Sequence, residues 1–338
     1  MFDWPQFLTQ HNIPYITTGK VGRNDIGTQC PFCGQADTGN NMSISLVNRG
    51  WYCWRQSDGH RGLTPHRLIQ ALIGCSYLDA EAIVKNGTSF IPNDGDFIDQ
   101  LKGLFDDSPK LSPAPLQPLL IPREFHPITD FGRGRMFVSY LEKRGFDYDD
   151  ITNLVIKYDL RCCVSDTFMY GAYHNRLIFL ITIDNKLVSW TGRHIGSSKL
   201  RYNSLSTEGK LPASMSLKNT ILWYDILRQI NAETLVVCEG PFDALKVNYL
   251  GNQRGIYATC VYGSTISDCQ LDLLCSLTQY KVKYLVLDAE VMLSYGNNID
   301  NSKIGPLEAA GFKTVILPKS IKDPGEFTKS SFSNVFGC

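Results

Sequence analysis

An α/β fold divided over several domains is what the sequence predicts, on three observations. Toward the C-terminus, short apolar runs alternate with helical patterns. Near the N-terminus, a Cys-x-x-Cys pair stands in a turn-rich segment full of aromatic residues. Between these regions lies a stretch rich in proline. A chain of 338 residues can build two or three cores. Its 33 basic and 33 acidic residues leave no formal net charge, so any affinity for nucleic acid must come from local patches. The start MFDWPQFLTQH does not read as a secretory signal, so the 11 cysteines point to a reducing compartment and a metal site rather than to disulfides. No apolar run has the length of a membrane span, and no GxxxxGK[ST] phosphate loop occurs, so neither a membrane anchor nor an attached helicase motor is expected.

The first domain is expected over residues 1–90. Cys30-Pro-Phe-Cys33-Gly34 is a metal knuckle, and Gly50-Trp-Tyr-Cys53-Trp-Arg supplies a third thiol. Met42–Val47 alternates as a half-buried strand, and Trp51–Trp54 is its natural partner. Two knuckles joined by a hairpin describe a zinc ribbon, in which Zn²⁺ takes four tetrahedral sulfur or nitrogen ligands and serves the fold rather than chemistry. Cys30, Cys33 and Cys53 are three of them. Gln56 stands where a second Cys-x-x-Cys would need a thiol, so His60 in its Gly-His-Arg-Gly turn is the best fourth ligand, with His66 and Cys75 as fallbacks. Trp51, Tyr52, Trp54 and Arg55 mix stacking rings with a cation, as single-stranded nucleic acid requires, although half of that set is expected to pack the ribbon's own core. Two short helices follow, from Pro65 and from Leu78.

Residues 91–126 read as a linker, with a short helix over Phe97–Phe105 and an extended tether over Ser108–Pro115. A domain over 127–231 comes next. Phe137–Gly145 is a helix ended by glycine, and another begins at Asp149. Asn175–Thr182 is a buried strand, Asp184-Asn185 turns, and Lys186–Trp190 returns. From Arg176 to Lys218 seven basic side chains stand against two acids, which predicts a ridge for phosphates. Arg176, Arg193, Lys199 and Arg201 are its nucleic-acid and nucleotide candidates, with Gly192 and Gly196 leaving room for close approach. Leu217–Ile230 is expected to be helical.

The last domain, 232–338, is organised around Leu235–Lys246. A buried strand stops at Glu239-Gly240 and a helix opens at Pro241, which puts a carboxylate at the carboxyl end of a strand. Strands are also expected over Gly255–Val261, Tyr284–Leu287 and Gly311–Leu317, with a helix over Asp268–Leu277. Asp288 and Glu290, two apart after a strand, can face the same way. Carboxylates ending two strands suit a hard divalent cation such as Mg²⁺.

Glu239-Gly240 with Asp243, then Gly263-Ser-Thr265, then Asp288-Ala-Glu290, then Lys322-Asp323-Pro-Gly325 stand in the order that resembles the Toprim fold of primases, topoisomerases and some nucleases. The ribbon, with its CPxC knuckle and aromatic-Cys-Trp-Arg strand, resembles that of phage primases. The Leu141-x-x-Arg-Gly145 helix ending, the Arg176 strand and the Gly192-Arg193 and Arg201-Tyr202 segments are similar to the RNA-polymerase core of bacterial and phage DNA primases, and the resemblance implies a turn at Gly192-Arg193. The chain departs from the family at Glu290, where aspartate is more usual. The resemblance implies a zinc ribbon, a tether and a primase core with a Toprim α/β subdomain, making short RNA primers on single-stranded DNA from ribonucleoside triphosphates. It implies Glu239, Asp243, Asp288 and Glu290 as catalytic residues, with Asp288, Glu290 and Asp323 holding Mg²⁺ or Mn²⁺. A replicative helicase in trans and a cytoplasmic location, that of the host if phage-encoded, are likewise implied. A Toprim nuclease or topoisomerase-like enzyme, or a non-catalytic single-strand binding factor, are the alternatives.

Overall fold

The computed structural model describes residues 2–19, 21–22, 24–47, 50–56, 59–86, 119–129, 131–286, 307–308, 310–318 and 320–337. The chain forms two compact units, Met1–Gln117 and Pro118–Cys338. The predicted linker up to residue 118, with its short helix and tether, lies outside the described residues, as do Asp288 and Glu290. The predicted boundary at 231/232 falls inside the second unit.

The first unit opens with α1 (Trp4–Gln10), capped by the Asp3 carboxylate accepting from the Gln6 amide. Five short strands come next: β1 (Tyr15–Ile16), β2 (Asp25–Thr28), β3 (Met42–Ser45), β4 (Trp51–Cys53) and β5 (Arg61–Gly62), paired in that order into an antiparallel sheet. The expected pairing is found, with Met42 opposite Cys53 and Ile44 opposite Trp51. The Trp51 indole lies across β5, where any side chain at Gly62 would come within 2.4 Å of it. Helices α2 (Pro65–Ile73) and α3 (Tyr77–Asn86) complete the unit, and Leu68, Ile69, Ala80 and Ile83 meet Trp4, Phe7, Ile26 and Ile44 in its core.

Glu81 is buried between these helices, 2.7 Å from His66 Nε2 and 3.1 Å from Lys85 Nζ. Burial raises its pKa, but the hydrogen bond and charge of His66, helped by Lys85, outweigh that and pull it from the ordinary 4.5 to about 2. The stabilisation is therefore complete above pH ~4.5 and is lost as the pH falls toward 2. Glu81→Gln should cost about 1–3 kcal/mol at neutral pH. In paired denaturant melts the gap to wild type should narrow through that acid window, and a gap independent of pH would contradict the pairing.

In the second unit, β6 (His126–Pro127) leads through α4 (Arg135–Lys143) and α5 (Tyr148–Tyr158) to β7 (Arg161–Cys163), β8 (Arg176–Ile183), β9 (Lys186–His194) and β10 (Tyr202–Ser204). These strands make an antiparallel sheet in the order β10-β9-β8-β7-β6. The β8–β9 turn is the one expected: Asp184 and Asn185 have φ of 52° and 59°, a geometry Asp and Asn tolerate. Asp225 accepts both their amides, at 2.9 and 3.0 Å.

Two expectations are corrected by the fold. Gly192 and Arg193 do not turn: β9 continues through them to His194, with Gly192 opposite Ile178. The space at Gly192 is taken by the Arg176 side chain, whose Cδ would lie 3.0 Å from an added Cβ. Leu217–Ile230 is not one helix either. A 3₁₀ turn (Leu217–Asn219) is followed by Trp223 at φ 58° and then α6 (Tyr224–Gln229). The Gln270 side chain captures the carbonyls of Leu217 and Thr220, and the Leu222 amide bonds to Cys260, so this segment spends its hydrogen bonds outside a helix.

Among the described residues from 234 onward, the predicted alternation of strands and helices is present. Elements β11 (Thr234–Cys238), α7 (Pro241–Gly251), β12 (Ile256–Cys260), α8 (Asp268–Ser276), β13 (Val282–Val286), β14 (Lys313–Val315) and α9 (Lys329–Phe336) build a parallel sheet of order β12-β11-β13-β14 with its helices. β11 is central, and its apolar side chains are fully buried. Helix α7 buries polar residues as well, because each has partners. Asn248 exchanges two bonds with the Ala258 backbone, and Lys246 Nζ donates to the carbonyls of Arg144 and Gly145, the ends left open where α4 stops. Among the described residues no helix is long and apolar enough to cross a membrane.

Candidate functional site

In the first unit, Cys30, Cys33, Cys53 and His60 converge, their ligand atoms all within 4.8 Å of one another. Cys33 Sγ lies 3.8 Å from Cys53 Sγ, and His60 Nδ1 lies 3.3 Å from Cys33 Sγ and 3.7 Å from Cys30 Sγ. A Zn²⁺ tetrahedron with Zn–S near 2.3 Å has S–S edges of about 3.8 Å and S–N edges of about 3.6 Å. The four residues therefore fit zinc. The fallback ligands are engaged elsewhere: His66 pairs with Glu81, and Cys75 packs on the apolar core. Burial pushes the Cys30 thiol up to about 12, so a cation is what would hold it as a thiolate. Burial first, and then the Arg67 charge, lower the pKa of His60 and favour the neutral imidazole that a metal needs.

The first knuckle is shaped by Asp37, which sequence reasoning passed over. Its buried carboxylate accepts from the amides of Cys30 (2.5 Å), Gly39 (3.0 Å) and Asn41 (3.1 Å), and from the Asn41 side chain. Burial opposes its ionisation, but these bonds prevail and lower its pKa. Arg67 was also missed. It stacks 4.9 Å from the Phe32 ring centre and donates to the Gly59 carbonyl, which braces the loop carrying His60. Of the proposed stacking set, Trp51 is core, with its indole N–H donating to the Thr64 carbonyl. Trp54 is 65% exposed and edges onto Tyr52, and Arg55 reaches the Ala36 carbonyl.

In the second unit, a cleft of about 310 Å³ opens where β11 ends and α7 begins, lined by Glu239, Asp243, Asp323, Arg193, Arg201 and Tyr202 among others. Asp243 Oδ1 accepts from the Gly325 amide at 3.2 Å, which docks the Asp323-Pro-Gly turn on α7. A side chain at Gly325 would come within 2.9 Å of Asp243 and 3.0 Å of Asp323, so glycine is what lets the two acids approach. Asp323 Oδ1 is buried and has no hydrogen-bond partner among the described residues, a position suited to a cation. The described acids of this cleft do not converge as tightly as the ribbon ligands.

The cations have separate fates. Arg193 donates through Nε to the Tyr140 hydroxyl (2.9 Å) and through Nη1 to the Tyr202 hydroxyl (2.8 Å), and lies 4.3 Å from the Phe242 ring centre. The Tyr202 oxygen also accepts from the Phe242 amide at 3.2 Å, in the first turn of α7. Lys218, which the sequence did not single out, reaches the Thr265 carbonyl at 2.7 Å, and the charge of Glu239 acts on it. Arg201 lines the cleft, and Lys199 is exposed outside its lining. Arg176 is spent on the fold, since its buried guanidinium donates to the carbonyls of Ala172, Gly192, Leu200 and Arg201. As a phosphate contact it is therefore corrected. A wider cleft of about 770 Å³, holding Arg123, His126 and Arg133, contains none of the strand-end carboxylates.

No family model matches the chain, and no curated protein does. Among solved structures it is similar to the DnaG primase catalytic domain bound to ssDNA, at 16% identity and a TM-score of 0.46, covering 63% of this chain and 74% of that one. The RNA polymerase domain of Mycobacterium tuberculosis primase DnaG, in complex with a double-stranded DNA oligomer with a 6-nucleotide overhang, is similar at 15% identity and a TM-score of 0.47, over 62% of this chain and 75% of that one. The primase fragment of the bacteriophage T7 primase-helicase protein is similar at 16% identity and a TM-score of 0.36, over 55% and 67% respectively. In each case what the chain is similar to is a primase.

Proposed function

We propose that the protein is a DNA primase with a zinc ribbon and a Toprim-type core, joining ribonucleoside triphosphates into short primers on single-stranded DNA. The observation that carries the reading is the cleft at the end of β11. There Glu239, Asp243 and Asp323 share one hollow with Arg193 and Arg201 of the antiparallel sheet and its flank. Phosphoryl transfer asks mainly for positioning and charge stabilisation, and this inventory supplies both. Asp323, with Asp288 and Glu290 outside the described residues, would hold Mg²⁺ or Mn²⁺, which when bound would neutralise triphosphate charge and polarise the attacking hydroxyl. Glu239 orients that hydroxyl or takes its proton as the 3′ oxygen attacks the α-phosphorus and pyrophosphate leaves. Arg201 and Lys218 hold phosphates, and Arg193 sets the floor of the cleft. The ribbon offers Trp54, Tyr52 and Arg55 to template bases, and a replicative helicase is the partner expected in trans.

The test is incubation of the full chain with circular single-stranded DNA, four ribonucleotides (one labelled) and Mg²⁺ or Mn²⁺. Short labelled RNA should form, and Glu239→Gln should reduce it at least ~100-fold. Shortening of the input strand would instead identify a nuclease. Strand binding without product under either metal would leave a binding factor.

A further inference from the structure

Gln270 is fully buried in the first turn of α8, yet its side chain serves three other places in the chain. Its Nε2 lies 3.1 Å from the Leu217 carbonyl, 3.0 Å from that of Thr220 and 3.0 Å from that of Val261, just past β12. Its Oε1 accepts from the Ser267 amide at 3.1 Å. The Ser267 hydroxyl oxygen accepts from the Gln270 amide, and its proton is donated to the Lys218 carbonyl. Helix capping alone would be satisfied by the Ser267–Gln270 exchange. The three carbonyl contacts go beyond it, and together they bracket Lys218 on both sides.

Lys218 is thereby aimed. Its Nζ donates to the carbonyl (2.7 Å) and hydroxyl (3.3 Å) of Thr265, and an added Cβ on Gly263 would lie 4.0 Å from it. The Gly263 amide in turn bonds to the Glu239 carbonyl at 3.0 Å. We propose that Gln270 is a positioning residue for the reaction: it pins the Leu217–Thr220 segment to the end of β12 so that the Lys218 ammonium stands over the Gly263–Thr265 turn next to Glu239. The inference rests on reading this cleft as the site of nucleotidyl transfer. It adds the residue that keeps one of its cations in place.

The test labels lysines of the full, zinc-loaded chain with trace acetic anhydride and reads each site by mass spectrometry. In wild type Lys218 should react several-fold more slowly than the exposed Lys143 and Lys186. In Gln270→Met it should rise to their rate while the buried Lys246 stays slow. An unchanged Lys218 would overturn the proposal. If Lys246 rises too, that variant has loosened generally, and the isosteric Gln270→Glu, which keeps the Ser267 contact, decides by the same criterion. A second arm measures nucleotide incorporation in Gln270→Met, Lys218→Ala and the double variant. The double should be no slower than Lys218→Ala, with kcat reduced more than KM is raised, whereas multiplicative losses would contradict action through Lys218. A wild type that incorporates nothing would sink the functional reading, while the labelling still decides the positioning.

Discussion

Stripping zinc from the intact protein should unfold residues 2–86 and leave the second unit folded. The strands of the first unit are two to four residues long, and its ligands come from three separated stretches of sequence. A core of this size rarely supplies more than about 3–5 kcal/mol. Structural zinc contributes about 10–16 kcal/mol of apparent binding free energy at neutral pH where such a site is filled, so zinc held by these four ligands would outweigh the apolar core. Cys53 is buried at the end of the β3–β4 ladder, opposite Met42, and Cys53→Ser should lose zinc and mimic the stripped protein. Limited proteolysis with metal analysis reads the result: cleavage should spread through the first unit only, and readdition of Zn²⁺ should reverse it in wild type but not in the variant. Equal protease resistance with and without metal would mean that the apolar core suffices and that the four ligands are merely neighbours.

How much of this was legible in the sequence depended on whether a residue's neighbours in space were also its neighbours in the chain. Three thiols and a histidine announce a site by type and spacing, and the ribbon's hairpin followed from alternation. The β11–α7 unit was equally plain, since a short apolar strand, a glutamate and a helix-opening proline follow one another directly. Asp37 was invisible because a carboxylate that gathers amides looks like any turn acid until the chain folds around it. Arg176 misled for the opposite reason. It belongs to a basic run, yet Gly192 on the facing strand gives its side chain room to bury itself among carbonyls. Gly192 was read as room for a backbone or phosphate, and a sequence does not say that the neighbour it admits is the Arg176 side chain from the facing strand. The segment 217–223 failed as a helix through bonds supplied by Gln270, some fifty positions away.

Replacing Arg193 should have the largest effect on the cleft after loss of the carboxylates themselves. The guanidinium ties together three elements: Tyr140 on α4, Tyr202 on β10 and the Phe242 ring on α7. Burial disfavours its charge, but the two tyrosine hydroxyls more than compensate, so it stays a fixed cation. Arg193→Met should cost about 1.5–3 kcal/mol of stability, the range for hydrogen bonds to a charged group. It should lower nucleotide incorporation by about 10²–10³, as the loss of one preorganised electrostatic contact does elsewhere. Arg193→Lys separates charge from shape. A lysine keeps the charge but has no planar fork to serve two hydroxyls while stacking on a ring, so most of the loss should remain. The measurement is kcat and KM for incorporation beside a thermal melt. If lysine restored activity, Arg193 would act as a bare charge facing the acids. If methionine left kcat intact while stability fell, Arg193 would only hold the sheet to α7, and the cation of the reaction would have to be sought at Arg201 and Lys218.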